Sequence, residues 1–278
     1  MHKQRILTAI IAGPLLFVII WWGNVDAFNI LAACAGAGLL LEYYGLCFGN
    51  SWGWKLWGTA ISVIPLIGAC LFLSESAILI GLYIALIASV ASVLFFYKTL
   101  ERPFEHWAKL GLGILYLGMS ISFIVLLRAL PLGKRWILFY LVVIFAGDSG
   151  AYYTGRSIGK HKLCPSISKG KTVEGAVGGV VSNFVAAMLL WYLLLPSFNI
   201  WKLALMASFV GLIGQIGDLA ASTIKRSVGA KDSGKLLPGH GGLLDRLDAV
   251  VLAVPAFYFI VLLTVHFLPG IPSHTGAW

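Results

Sequence analysis

The chain has 278 residues, of which 59% are hydrophobic and only 11% charged, with a mean hydropathy of +0.92. A soluble domain carries about 25% charged residues, so there is too little polar surface here to coat a water-soluble globule, and intrinsic disorder and nucleic-acid-binding modules are excluded with it. The net charge of +9, from 20 Lys and Arg against 11 Asp and Glu, fits the positive-inside bias of a multispanning membrane protein and also a surface for an anionic ligand.

His2, Lys3 and Arg5 precede an apolar run from Ile6 to Trp22. No small-x-small cleavage site follows before more hydrophobic sequence begins, so this run reads as a retained first span and not as a signal peptide. Crossing a hydrocarbon core of ~30 Å takes ~20 helical residues. Runs of that kind are predicted at 6–22, 27–47, 56–73, 77–97, 110–127, 136–153, 173–195, 203–217 and 249–268. The second contains Glu42 and several glycines, and the sixth meets Asp148 before it ends. Lipid admits only helices or closed barrels, and the ten-residue alternation of a barrel is missing. The expected fold class is therefore all-α: a polytopic integral membrane protein with about nine transmembrane helices.

With the N-terminus in the cytoplasm, sixteen of the twenty Lys and Arg fall on the cytoplasmic side and only Arg128, Lys134, Arg135 and Lys202 on the other. That asymmetry predicts an N-in, C-out protein, with the loop at 128–135 running against the trend. The tail from Pro269 to Trp278 is expected outside. Cys34, Cys47, Cys70 and Cys164 form no CxxC pair and sit mostly in apolar sequence, so they read as buried thiols, without disulfides or zinc.

Residues 1–135 and 136–278 differ in character. The first part holds spans one to five and five acids, Asp26, Glu42, Glu75, Glu101 and Glu105, mostly near span ends where snorkelling or solvation accounts for them. Its expected role is lipid embedding, and Phe95, Phe96, Gly111, Gly113 and Gly118 suggest a homodimer surface. The second part holds spans six to nine, the loops 154–172 and 218–248, and the other six acids, so polar chemistry gathers at the cytoplasmic mouths of these spans. No internal repeat is visible, which argues against an inverted-repeat transporter.

Span eight ends in glycines at 211, 214 and 217, a small-residue packing stripe, followed by Asp218, Ser222 and Lys225 on one helical face. An acid at the end of a span needs a partner, a cation or a wet cavity. The segment from Lys231 and Asp232 to Pro238, Gly239, His240, Gly241 and Gly242 has glycines whose N–H groups can converge on an anion. Asp245 and Asp248 then enter span nine on one face. With Asp218 they form a set suited to Mg²⁺, which takes one or two carboxylates plus phosphate oxygens, while Lys225, Arg226, Lys231 and Arg246 would neutralise the remaining phosphate charge.

The 27 residues from Ser222 to Asp248, with Lys225, Arg226, Lys231, Asp232, Gly234, Pro238, His240, Gly241, Gly242, Asp245 and Arg246 at fixed spacing, resemble the signature of the phosphatidate cytidylyltransferase (CDP-diacylglycerol synthase) family. The likeness extends upstream to Asp148 through Gly155 and to Ser168 through Gly175, and covers the first half only by hydrophobic pattern. It implies the reaction of CTP with phosphatidic acid to give CDP-diacylglycerol and pyrophosphate. The implied catalytic residues are Asp218, Lys225, Lys231, Asp232, His240, Asp245 and Arg246. Lys171, Ser222, Arg226, Gly239, Gly241 and Gly242 are implied to bind substrate, and Asp148, Asp218, Asp245 and Asp248 to bind metal. His240 either protonates the leaving pyrophosphate or has a structural role. Mg²⁺ is the expected cofactor, with a second, monovalent cation as an additional candidate. CTP, phosphatidic acid and membrane lipid are the expected partners, without nucleic acid, and the expected location is the bacterial inner (plasma) membrane with the site facing the cytoplasm. A membrane transferase acting on another lipid phosphate, and a secondary transporter, are the alternatives.

Overall fold

The computed structural model describes residues 13–234, 236 and 241–266. Gly239 and His240 of the expected site, the start of the first expected span and the tail from Pro269 lie outside the described residues. Among the described residues eight helices are long and apolar enough to cross a membrane. They are α2 (Val25–Phe48), the continuous span formed by α3 (Trp52–Ser62) and α4 (Ile64–Phe72), α5 (Glu75–Phe95), the span from α6 (Pro103–Leu112) to α7 (Ser120–Ala129), α8 (Gly133–Ile158), α9 (Val173–Leu194), α10 (Ile200–Ser227) and α11 (Leu244–His266). A shorter apolar helix, α1 (Gly13–Trp22), precedes them. The protein is thus a polytopic all-α membrane protein, and each of the eight expected spans from 27–47 onward coincides with one of these helices.

Side-chain caps set several starts: Asn24 Oδ1 accepts from Ala27 N–H at 2.8 Å, Ser74 Oγ from Ala77 N–H at 3.2 Å, and Asn199 Oδ1 from Trp201 and Lys202 N–H at 3.0 and 3.1 Å. The helices overrun their hydrophobic runs where the site lies. α8 continues past residue 153 to Ile158 and α10 past residue 217 to Ser227, because polar side chains facing a wet cavity end the hydropathy without breaking the backbone ladder. Leu71, Phe72, Leu79, Leu94 and Leu193 are exposed, as they must be where the surrounding solvent is lipid. The cysteines follow the same rule. All four are free thiols, and none is fully buried as expected; Cys34 is exposed on α2, because an apolar stretch in a membrane helix faces lipid as readily as it faces the core.

The core of the C-terminal half is aromatic. Tyr140 stacks on Phe257 with ring centroids 4.9 Å apart and donates to Val250 O, tying α8 to α11. Helices α8, α9 and α10 approach closely through glycines: a Cβ on Gly217 would lie 2.7 Å from Asp248 O, so α10 can pack on α11 there only without a side chain. In the N-terminal half, Tyr43 and Tyr44 hydroxyls donate to Lys109 O and Leu110 O at 2.9 and 3.1 Å. Gly113 sits against these tyrosines and Gly118 against Ser62 O. These two glycines are therefore internal packing positions and not part of a free dimer face.

Between α6 and α7, residues Gly113–Met119 form a π-helical turn that widens the helix, and Tyr116 within it donates to Gly217 O at 3.3 Å, one residue before Asp218. The loop at 154–172 contains an antiparallel hairpin, β1 (Lys162–Cys164) and β2 (Ser168–Thr172), closed by Ile167 N–H donating to Cys164 O at 3.1 Å around Pro165.

Two of the cations that run against the charge asymmetry have local partners. Arg128 is buried, donates to Gly23 O at 3.1 Å and lies over the Phe28 ring. Arg135 donates to Leu194 O at 3.2 Å, at the C-terminal end of α9, where a cation is favoured.

Candidate active site

The C-terminal ends of α2, α8 and α10 and the N-terminal ends of α9 and α11 meet at one end of the bundle. A cavity of about 730 Å³ opens there, lined by five aspartates, Asp148, Asp218, Asp232, Asp245 and Asp248, and by Arg156, Lys162, Lys171 and Lys225. The hairpin covers one side. Its last residue, Thr172, caps α9 by accepting from Gly175 N–H at 3.1 Å. Glu174 in the first turn accepts from Lys160 and His161 N–H at 3.1 and 3.2 Å and contacts His161 Nδ1 at 2.6 Å, which clasps the chain leaving α8. The run from Ser168 to Gly175 is thus a strand, a cap and a clasp that present Lys171 and the N-terminus of α9 to the cavity, where N–H groups favour anions.

Two ion pairs organise the centre. Lys171 Nζ lies 2.6 Å from Asp218 Oδ2, the side chains being 26% and 32% exposed. Lys225 Nζ lies 2.6 Å from Asp245 Oδ1 and is nearly buried. Asp245 Oδ2 also accepts from Ser233 N–H at 2.8 Å and Gly242 N–H at 3.1 Å. Ser222 Oγ is 3.5 Å from Asp218 Oδ1, one turn along α10. Asp248 is buried and accepts from Ala249 N–H at 2.9 Å. Asp148, Asp218 and Asp248 line the same cavity.

The structure therefore brings Asp148, Lys171, Asp218, Lys225, Asp232, Asp245 and Asp248 around one space, with Ser222 beside them. Gly241, at a left-handed φ of 84°, and Gly242 lie at the return of the signature segment into α11. Three expected cations are not in the cavity lining. Arg226 turns to the chain instead, donating from Nη1 to Ala230 O at 2.8 Å and from Nε to Ile167 O at 3.4 Å, which ties α10 to the hairpin. Lys231 and Arg246 are exposed and outside the lining. Sequence reasoning missed three residues of the lining: Arg156 and Lys162, which it counted only as topology charges, and Gln215, which donates to Ala176 O at 3.0 Å. It also missed Glu42. That acid is not solvated at a span end: it is buried, and Oε2 accepts from Ser233 Oγ at 3.0 Å and from Leu244 N–H at 2.9 Å. The signal was present, since an acid inside an apolar span needs a partner.

Among the described residues no three His, Cys, Asp or Glu side chains converge into a closed metal cage. The donor set nevertheless suits Mg²⁺: all hard oxygens, with Asp148, Asp218 and Asp248 facing a space large enough for the phosphates and waters that complete its shell. Asp245 has both oxygens committed to Lys225 and two N–H groups.

The site is thus a cavity of carboxylates and cations at one end of a polytopic, apolar helical bundle. Residues 3–264 match the cytidylyltransferase family, and the chain belongs to it. It is 35% identical over 274 residues to a phosphatidate cytidylyltransferase of Brucella suis biovar 1 (strain 1330), covering 98% of this chain and 96% of that protein. It is likewise 35% identical to a phosphatidate cytidylyltransferase of Bacillus subtilis (strain 168), covering 94% of this chain and 98% of the relative. A Staphylococcus haemolyticus (strain JCSC1435) protein of the same name is 37% identical over 54% of this chain and 57% of its own length.

Proposed function

We propose that this protein is a phosphatidate cytidylyltransferase: a phosphate oxygen of phosphatidic acid attacks the α-phosphorus of CTP, the bond to the bridging α–β oxygen breaks, and CDP-diacylglycerol and pyrophosphate leave. The observation that carries this reading is the single cavity in which five aspartates and four Lys or Arg side chains meet at one end of a membrane bundle, in a chain of the cytidylyltransferase family.

A phosphomonoester has a second pKa of about 6, so the attacking oxygen is already ionised near neutrality and needs no strong base. The barrier is the approach of two anions, and the side chains act by neutralising charge and fixing the in-line geometry. Lys171 and Arg156 would hold phosphates at the hairpin wall, the N-terminus of α9 would add N–H donors, and Lys225, oriented by Asp245, would face the phosphate where charge develops. Asp148, Asp218 and Asp248 would hold Mg²⁺, which when bound supplies Lewis-acid charge at the phosphates. A triphosphate and a phosphomonoester add several negative charges to the five carboxylates, and a second, monovalent cation fits the same balance. Lys231 and Arg246, outside the lining, would attract CTP from the solvent side, and Asp232 borders the same space. Gly239 and His240 lie outside the described residues, and their roles in substrate binding and catalysis rest on the family resemblance alone.

CTP is a cytoplasmic metabolite, so the cavity would open on the cytoplasmic face of a bacterial inner membrane, N-in and C-out. A homodimer would use the exposed Phe95 and Phe96 face; a monomeric mass in detergent contradicts it. The functional test is pyrophosphate release by the purified protein with CTP and phosphatidate. Turnover that needs both substrates and stops on chelation supports the reading, whereas turnover only with another lipid phosphate, or with none, overturns it.

A further inference from the structure

Glu42 sits inside α2, about 190 residues from its partners, yet its carboxylate joins two parts of the signature segment, Ser233 and Leu244. Oε2 accepts from the Ser233 hydroxyl at 3.0 Å and from the Leu244 N–H at 2.9 Å, separations of 191 and 202 residues in sequence. Asp245 repeats the pattern one layer nearer the cavity, accepting from Ser233 N–H at 2.8 Å and Gly242 N–H at 3.1 Å. Two carboxylates from different halves of the protein thus staple Ser233 to residues 242–244. Asp232, next to the staple, lines the cavity, and Asp245 is held ready for Lys225.

Two glycines of the segment make room for this approach. A Cβ on Gly234 would lie 2.7 Å from Glu42 Oε1, and one on Gly242 would lie 2.6 Å from Oε2 and 1.8 Å from Ser233 Oγ. Gly242 was expected to cradle an anionic substrate. Its surroundings are instead the Glu42 carboxylate and the Ser233 hydroxyl, so the missing side chain admits a protein carboxylate.

We propose that Glu42 is a positioning residue: its carboxylate ties Ser233 to Leu244 and thereby holds the neighbouring Asp232 and Asp245 at the cavity, making α2 a part of the active-site machinery. The catalytic half of this proposal rests on the functional reading above; the anchoring half does not. Glu42 is not among the residues that line the cavity, and it acts through Ser233 and Leu244. A burial of this kind is otherwise costly for an acid in a membrane span, and the two donors it satisfies would be stranded without it.

The test combines hydrogen exchange and kinetics on the full-length protein in detergent, for Glu42→Ala, Glu42→Gln, Ser233→Ala and the Glu42→Ala/Ser233→Ala double variant. Loss of one buried acceptor should speed amide exchange in peptides covering 231–244 by about tenfold in Glu42→Ala, with exchange in α8 and α9 unchanged, and lower kcat/KM by at least about tenfold. Glu42→Gln, whose carbonyl oxygen can accept from both donors, should stay within about threefold of the parent protein in both readouts. Adding Ser233→Ala to Glu42→Ala should cost little more than Glu42→Ala alone. Unchanged exchange over 231–244 in Glu42→Ala, or faster exchange with unchanged kcat/KM, overturns the proposal. If Glu42→Ala does not fold, Ser233→Ala decides: it should show faster segment exchange and a smaller loss of kcat/KM, and parent-like behaviour in both contradicts the anchor. If the parent protein shows no cytidylyl transfer, the functional reading fails, while segment exchange in the same variants still decides the anchor.

Discussion

Lys225 Nζ stands 2.6 Å from Asp245 Oδ1, joining the last turns of α10 to the first turn of α11 with only 9% and 13% of the two side chains exposed. Breaking such a pair strands the remaining charge, which costs about 3–5 kcal/mol, whereas replacing both members by apolar groups costs far less. Asp245→Leu, which strands the Lys225 charge, should therefore lower the thermal midpoint in detergent more than the double variant with Lys225→Met does. Lys225→Met alone leaves Asp245 its two N–H donors and should cost less. A double variant that loses the sum of the two single effects contradicts the pairing. All three should lack cytidylyl transfer, since the pair also faces the cavity.

Lys171 and Asp218 form a more accessible pair than Lys225 and Asp245, at 26% and 32% exposed. Both side chains are half-buried and Lys171 Nζ itself is shielded from solvent, so Asp218→Asn, which keeps a side-chain oxygen facing it, should purify folded with a lowered melting midpoint. Its function in the proposed mechanism is to hold Mg²⁺, and loss of one preorganised electrostatic contact costs about 10²–10³ in kcat. Activity of Asp218→Asn should fall by that factor and require more Mg²⁺ for half-saturation. Parent-like turnover at the same Mg²⁺ concentration removes Asp218 from the metal set.

Arg226 and Lys171 should separate in kinetics. Arg226 spends its guanidinium on Ala230 O and Ile167 O, so Arg226→Ala should lower kcat/KM by less than about tenfold, the scale of one or two hydrogen bonds that position a loop. Lys171→Ala removes a cation from the cavity and should cost about a hundredfold. The reverse ranking in a steady-state assay overturns the assignment of Lys171 to substrate phosphates.

Much of this was legible from the chain. The run from Ser222 to Asp248 announced its acids and cations, and hydropathy located the eight helices from α2 onward, because lipid forces apolar runs to be helices. Two kinds of information were not legible. Spacing along α10 places Asp218, Ser222 and Lys225 on one face, but it cannot say that Arg226, one residue on, turns to the hairpin carbonyl at Ile167. Glu42 was misread as a solvated span-end acid because its partners, Ser233 and Leu244, are some 190 residues away, and no local pattern encodes a contact of that range. The hairpin escaped because its strands are three and five residues long and basic, with little apolar alternation.

Sidedness is open to labelling. Lys169, exposed on the hairpin, and Ser197, exposed in the connection between α9 and α10, lie at opposite ends of the bundle. In a variant without the four native cysteines, Lys169→Cys should react with an impermeant thiol reagent only after the membrane is opened, and Ser197→Cys should react in intact cells. The inverse pattern would place the cavity away from CTP.

The most direct measurement of the central claim follows the phosphates themselves. Purified protein in detergent, supplied with phosphatidate, Mg²⁺ and CTP labelled either at the α- or at the γ-phosphate, should move α-label into lipid as CDP-diacylglycerol and release γ-label only as pyrophosphate. Label from the γ-phosphate in lipid, or no α-label in lipid while the protein remains folded, contradicts the account.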